Sequence, residues 1–489
     1  MKYPLVLKSY NLYHLLGLDN YANGEQIKKR YWLLARKFHP DRSESSEKES
    51  QFFVLSTAAY NFGVARFRIR GYNGDQTVIM VNGIPMNDME SGRGTWYKWG
   101  GLNDVTRYAE SKRWLTSNPY HFGGLGGYSN INIKASGIRK GHNLSYASTN
   151  RAYRHRLMYT QSTGMMDNGW AFAGSVSFRY SQEGYVDGTF YEAMGYYLAA
   201  EKQLNEKHNF SFSVLGSPTT RGKNGISVQE TYDLTGNNYY NSYWGHQTIN
   251  GKKVKRNSRQ TISHMPIVAL SHDWKIDKKS NLNSSVYTSF GTYGQTSLNW
   301  ADGADPRPDY YRNLPSYYYG INDSVTGDIL REQWINDPEF SQVNWDKLYY
   351  SNKNNLFHQK NVNGVPGNDV TGLRAKYIIE TRWNNVLSYG ATSNYTRKIN
   401  DNINLSSGVY LQYQRNHNFK TINDLLGADF WLDVDRFASQ VGADPAISQN
   451  NISTPNKLVR VGDKFDYDYF IHNSKLATFG QLNFSYDKI

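Results

Sequence analysis

Residues Trp170–Ser181 read Trp-Ala-Phe-Ala-Gly-Ser-Val-Ser-Phe-Arg-Tyr-Ser. In extended backbone, successive side chains point to opposite faces, so Trp170, Phe172, Val176, Phe178 and Tyr180 share one side. Ala171, Ala173, Ser175, Ser177, Arg179 and Ser181 share the other. Large apolar residues on one face and small or polar ones on the other are what a strand between lipid and a wet lumen requires.

The same period continues from about His142 onward, and the connections between strands differ systematically in length. Residues 165–169, 204–208, 277–281 and 400–404 are tight turns, whereas 217–262, 295–377 and 415–473 are long, aromatic and polar. Barrels of the outer membrane segregate short turns to one rim and long loops to the other. A sandwich or propeller has no reason to alternate loop length in this way. The pattern predicts about ten antiparallel strands over residues 138–489.

Composition agrees. Tyr, Trp and Phe number 40, 12 and 21, yet mean hydropathy is -0.70. One compact core cannot absorb so many rings in so hydrophilic a chain. No run approaches the ~18 apolar residues of a spanning helix, so integral membrane contact has to be made by strands. Cysteine is absent, which excludes disulfides and thiolate metal sites. The net charge of +13 is scattered, with one dense basic patch at residues 28–37, so no nucleic-acid partner is expected.

Residues 1–61 have a different character, and residues 11–60 predict three helices. Leu12, Leu15 and Leu16 make a short apolar face, and Ile27, Tyr31, Leu34 and Phe38 recur at helical spacing. Phe52, Leu55 and Ala59 make the third stripe. The opposite face of the second helix carries Lys28, Lys29, Arg30, Arg36 and Lys37. Pro40 lacks an N–H and disfavours helical backbone at His39, so His39-Pro40-Asp41 ends that helix and sits on the loop beyond it. Residues 13–18, 27–42 and 52–60 resemble the J domain of DnaJ-type co-chaperones. The resemblance implies that His39, Pro40 and Asp41 dock on a DnaK-type ATPase, with Asp41 pairing a partner arginine. Lys28, Lys29 and Arg30 would steer towards an acidic surface.

Residues 62–137 change character again without a linker. Phe67 and Ile69 alternate with Arg66, Arg68 and Arg70 up to Gly71, a strand pattern. Val78 to Val81 predicts a second strand, closed by Asn82-Gly83, a tight-turn signal. Residues 101–105 and 129–133 supply a further turn and strand, the latter preceded by a glycine-rich run through Gly126 and Gly127. That run is not a phosphate cradle, because Ser129 occupies the third glycine position and no Walker lysine follows. Residues 66–72, 78–88, 101–107 and 122–133 resemble the second half of a TonB-dependent receptor plug. Its matching residues are Arg70, Gly71, Asn82, Gly83, Asn103, Asp104, Gly126 and Gly127. Residues 150–164, 168–190, 228–244 and 300–318 are similar to the barrel of the same family.

The expected fold class is therefore mostly β: a partial plug, then an incomplete antiparallel transmembrane β-barrel, preceded by a small three-helix module. The family resemblance implies ~22 strands, so about ten predict an open barrel that would not insert stably. Neither an export signal nor the TonB-contacting segment is legible near the amino terminus. The chain reads as a chimera joined within residues 54–62, with outer-membrane location implied by residues 62–489 and a cytosolic one by the chain as written. Nutrient uptake as a TonB-dependent receptor is the expected function, with the TonB complex and outer-membrane lipid as partners. The alternative is a J-domain co-chaperone with the β region as passenger. Asp305, Arg307, Asp309 and Tyr310, in a long loop, are candidate ligand contacts. No cofactor or enzymatic constellation is expected: His264, His272 and Asp273 lack metal-site spacing, and neither HExxH nor G-x-S-x-G occurs.

Overall fold

A computed structural model describes residues 26, 30, 73–112, 118–435, 438 and 447–485. The strand expected over 65–72 and most of the amino-terminal module, including Lys28, Lys29, His39, Pro40 and Asp41, lie outside the described residues. Arg30 is exposed and helical.

Two sheets organise the molecule. The smaller has the strand order Ile84–Pro85, Val78–Val81, Tyr128–Ile131, Ala109–Lys112. Val78–Val81 runs antiparallel to Ile84–Pro85 and parallel to Tyr128–Ile131. The edge strand Ala109–Lys112 has no counterpart in the sequence reading, because Ala-Glu-Ser-Lys presents no apolar alternation and is exposed throughout. Residues 101–105 turn rather than extend, as expected.

The larger sheet has 12 antiparallel strands, ten on one path from Gly141–Ser148 at one edge to Lys464–Phe484 at the other and two off it. Two of the twelve are continuations. His208–Gly216 resumes as Thr219–Gly222 after Pro218, and Gln260–His264 resumes as Ile267–Lys275 after Pro266. Leu215 faces Ile267 and Thr219 faces Ser263, so the register is unbroken across both prolines. Proline removes a ladder N–H without shifting the strand. Twelve strands less two continuations leave ten staves.

The faces fall as the period demands. On Trp170–Ser181, Phe172 is 45% and Phe178 50% exposed, while Ser177 is 0% and Ser175 7% exposed. This inverts a soluble sheet: rings face out and hydroxyls face in. The inner wall is filled by the small sheet. Ile79, Val81, Ile84, Leu102, Val105, Ile131 and Ile133 share one apolar core with Ala171, Ala173, Ala199 and Ala269 of the wall. Alanine at those wall positions leaves the space that the small sheet occupies.

The staves are longer than the alternation alone implied. Ile403–Asp424 and Lys464–Phe484 each continue about nine residues beyond the expected loop boundaries. Cross-strand pairs carry them: Lys420 meets Asp466 at 2.5 Å and His417 stacks on Phe470 at 4.1 Å. The long loops also hold helices, among them Ser324–Asn336, capped by Asp323 accepting from Thr326 N–H at 3.1 Å. Trp334 and Trp345 anchor these loops, 2% and 0% exposed.

Candidate functional site in the lumen

The Asn82-Gly83 turn has positive φ at both residues, 49° and 79°, the geometry of a two-residue hairpin of type I′. It is also a docking point. Asn82 Oδ1 accepts from Ile133 N–H at 2.9 Å, and Asn130 Oδ1 accepts from Gly83 N–H at 3.0 Å. A Cβ on Gly83 would lie 2.7 Å from the Tyr120 ring. Gly126 N–H donates to Gln76 O at 2.9 Å, and Gly127 O accepts from Val78 N–H at 3.1 Å. The glycine run thus lets the backbone approach the Val78–Val81 strand. Asp104 is buried, accepting from Arg107 at 2.9 Å and from Asn143 of the wall at 2.5 Å, whereas Asn103 is exposed. Arg70 and Gly71 lie outside the described residues.

Above this sheet, towards the long loops, the wall presents a ladder of amides. Gln412 Nε2 donates to Pro85 O at 3.2 Å, Gln414 Nε2 to Asp88 at 2.7 Å and Asn416 Nδ2 to Glu90 at 2.5 Å. Tyr97 donates to Met265 Sδ at 3.4 Å and tilts against Tyr293 at 5.3 Å. Burial, helped by Asp88 and Tyr293, pushes its phenol well above the usual range. Lys98 is 8% exposed, and its ammonium has no hydrogen-bond or ion-pair partner among the described residues. Burial lowers its ammonium to about 8 against the opposing pull of Asp88.

On the opposite side, Arg179 reaches Gly100 O at 3.0 Å and Tyr197 donates to Ile133 O at 2.6 Å. Lys134 pairs with Asp273, and Glu201 accepts from Ser136 N–H at 2.8 Å. These two carboxylates border a cavity of about 570 Å³ that Tyr120, Asn209, Asn283 and Asn394 also line, at the short-turn rim. His121 bridges sheet and wall, with Nε2 3.0 Å from the Tyr410 hydroxyl and Nδ1 accepting from Gly123 N–H at 2.9 Å. Burial first, then Lys475, lowers its imidazole to about 4.

The four loop residues do come together. Arg307 Nε and Nη2 bind Asp305 at 2.9 and 2.5 Å, and the guanidinium lies 5.4 Å from Trp300 and 5.8 Å from Tyr310. Asp309 accepts from Ser227 at 2.9 Å. Their polar groups are spent largely on holding the loop. Sequence reading missed Gln412, Gln414, Asn416, Glu201 and Arg179 as contact residues, because alternation tells which side a residue faces and nothing about what fills the lumen opposite.

Residues 11–62 match the family model described as DnaJ domain. The chaperone protein DnaJ of Wolinella succinogenes is 37% identical over 54 residues, 11% of this chain and 14% of that protein. DnaJ homolog subfamily B member 9 of Rattus norvegicus is 41% identical over 54 residues, 11% of this chain and 24% of that protein. Among solved structures, the siderophore receptor PiuA from Acinetobacter baumannii aligns with 73% of this chain and 40% of its own, with a TM-score of 0.42 and 12% identity. The ferric citrate transporter FecA, unliganded, aligns with 86% of this chain and 47% of its own, with a TM-score of 0.45 and 10% identity. The chain spans less than half the length of each of these four proteins. Residues 11–62 thus match a DnaJ domain, and over most of its length the chain aligns in structure with the siderophore receptor and the ferric citrate transporter.

Proposed function

We propose that residues 62–137 act as the second half of a receptor plug and residues 138–489 as barrel wall, in a receptor that moves a nutrient across the outer membrane with energy from the TonB complex. The observation that carries this reading is the inverted wall, apolar outside and polar inside, with a plug-like sheet bonded to its inner face. Hydrogen bonds from Gln412, Gln414 and Asn416 to residues 85–90 suit a plug that has to be held and released. In this reading Asp305, Arg307, Asp309 and Tyr310 shape the ligand vestibule.

Leu198 is 65% exposed on the outward face at mid-height, and Leu204 is 59% exposed in a short turn. Leu198→Arg should reduce folding stability in lipid by about 2–4 kcal/mol, while Leu204→Arg should cost about 0–1. Equal, negligible effects of both on heat-modifiable protein in outer-membrane fractions would refute a lipid-facing wall.

A second reading rests on the DnaJ match: residues 1–61 stimulate a DnaK-type ATPase, with Asp41 and the His39-Pro40 turn at the contact and Lys28, Lys29 and Arg30 steering. Its test is chaperone ATPase turnover with the full chain and with Asp41→Asn. Stimulation that survives the substitution sinks it.

A further inference from the structure

The outward face of Ile403–Asp424 carries Ile403, Leu405, Ser407, Val409, Leu411 and Tyr413 in succession, without a charge. At ~3.3 Å per residue and ~45° of tilt this run rises roughly 23 Å, close to the height of a barrel's apolar band. The next outward residue is Arg415. It faces His472 across the ladder, and His417 faces Phe470. Lys464 and His417 share one carboxylate, Asp468, at 2.8 and 2.5 Å. Arg415 is exposed, and among the described residues its recorded partner is the Phe470 ring, 5.4 Å away. A guanidinium with no carboxylate partner among the described residues therefore stands where the apolar band ends, on the long-loop side, beside a lysine, two imidazoles and exposed rings.

We propose that this outward cluster binds the phosphate of a lipid headgroup in the leaflet at the long-loop rim, with Arg415 as the principal ligand and Lys464 in support. The inference rests on the reading of the wall as lipid-facing. The planar guanidinium matches two phosphate oxygens at once. Headgroup phosphates lie at this depth, just outside the hydrocarbon, and an anion held by its own acyl chains stays there. Phe470 and Tyr413 border the cluster with ring surface suited to the interface. Asp468 is engaged by Lys464 and His417 and so leaves the charge of Arg415 uncompensated.

The test is lipid binding to the full chain in neutral detergent micelles, read by native mass spectrometry with dioleoyl phosphatidic acid or dioleoyl phosphatidylcholine. We expect phosphatidic acid to bind about tenfold more tightly. Arg415→Gln should remove most of that preference and Arg415→Gln with Lys464→Gln all of it, whereas Arg331→Gln, at an exposed cation on the loop helix Ser324–Asn336, should leave it intact. Arg415→Gln alone removes an exposed side chain, so it keeps the test valid if the double variant folds poorly. Equal affinity for the two lipids overturns the proposal, as does a preference that survives Arg415→Gln. Loss of the preference in millimolar inorganic phosphate would overturn the lipid as the source of the anion. Flotation of the wild-type chain with phosphatidylcholine vesicles is read separately: its failure sinks the lipid-facing wall, while the micelle preference still reports on the cluster.

Discussion

Arg179, on a wall stave, donates to the backbone carbonyl of Gly100 in the plug-like sheet at 3.0 Å. The same guanidinium reaches Ser217 Oγ and the Tyr191 hydroxyl, each at 2.9 Å, and presses so close to Gly101 that a Cβ there would lie 2.6 Å from Nε. The arginine is 7% exposed, so its charge is held by neutral acceptors. Arg179→Met should keep most of the volume while removing the charged donor and leaving the Gly100 carbonyl with the Ser217 hydroxyl alone, at 3.0 Å. We expect a loss on the order of 1–3 kcal/mol and earlier thermolysin cleavage within residues 73–137. Gly101→Ala, at φ 84°, should cost a similar amount by strain on the order of 1–3 kcal/mol, without removing any donor. If neither substitution changes the melting midpoint or the cleavage, this contact does not hold the sheet in the wall.

His121 makes the plug–wall attachment sensitive to acid. Its Nδ1 needs a lone pair for Gly123 N–H, and burial with nearby Lys475 keeps the ring neutral down to about pH 4. The unfolded chain takes up that proton near the ordinary value of 6.5. Between these two pH values the unfolded state binds more protons, so stability falls as pH falls. Above pH 6.5 the group contributes nothing to the slope. The expected loss from pH 7 to pH 4 is on the order of 2–3 kcal/mol, and His121→Gln should flatten it. An unchanged slope in the variant would assign the acid sensitivity to other groups.

The reach of the sequence is visible at single residues. Phe172 and Ser177 fall on opposite sides of one strand by parity alone, and their exposures of 45% and 0% follow that parity. Asn82-Gly83 likewise announces its turn, because few other pairs tolerate positive φ at both positions. By contrast, Arg179 meets a carbonyl 79 residues away and Gln414 a carboxylate 326 residues away. No local period encodes such contacts; they exist only once the plug-like sheet occupies the space left by Ala171, Ala173 and Ala199. The helix Ser324–Asn336 was equally hidden, since it packs through Trp334 onto Tyr240 and Leu314 rather than through a continuous apolar stripe.

Lys98 predicts the opposite pH response in alkaline solution. Burial lowers its ammonium from 10.5 to about 8, with Asp88 offering partial compensation. Below about pH 8 the folded chain carries a buried charge that Asp88 only partly offsets, and it bears the full penalty. From about 8 to 10.5 the folded state sheds the proton while the unfolded state keeps it, so stability rises with pH. Lys98→Met should stabilise the protein at pH 7 by on the order of 2–3 kcal/mol and abolish the alkaline gain. Melting at pH 7 and pH 9.5 separates the outcomes; a destabilised variant at pH 7 would mean that Lys98 is held by an attraction stronger than its burial cost.

The Asn82-Gly83 turn allows conformation and contact to be separated. Asn82 supplies a residue tolerant of φ 49° and an acceptor for Ile133 N–H, whose residue is fully buried. Asn82→Gly keeps the first and removes the second, so it should cost on the order of 1–3 kcal/mol for the stranded donor. Asn82→Ala removes both and should cost roughly 1–2 kcal/mol more, the price of left-handed backbone for a residue with a Cβ. Gly83→Ala adds a clash with the Tyr120 ring to the same strain at φ 79°. Pairing it with Tyr120→Ala should relieve the clash and leave the strain. Melting of the four single and paired variants in detergent reads each component: Asn82→Gly must lie between wild type and Asn82→Ala. If Asn82→Gly melts with wild type, the Ile133 N–H finds another acceptor, and the turn anchors the sheet through its backbone alone.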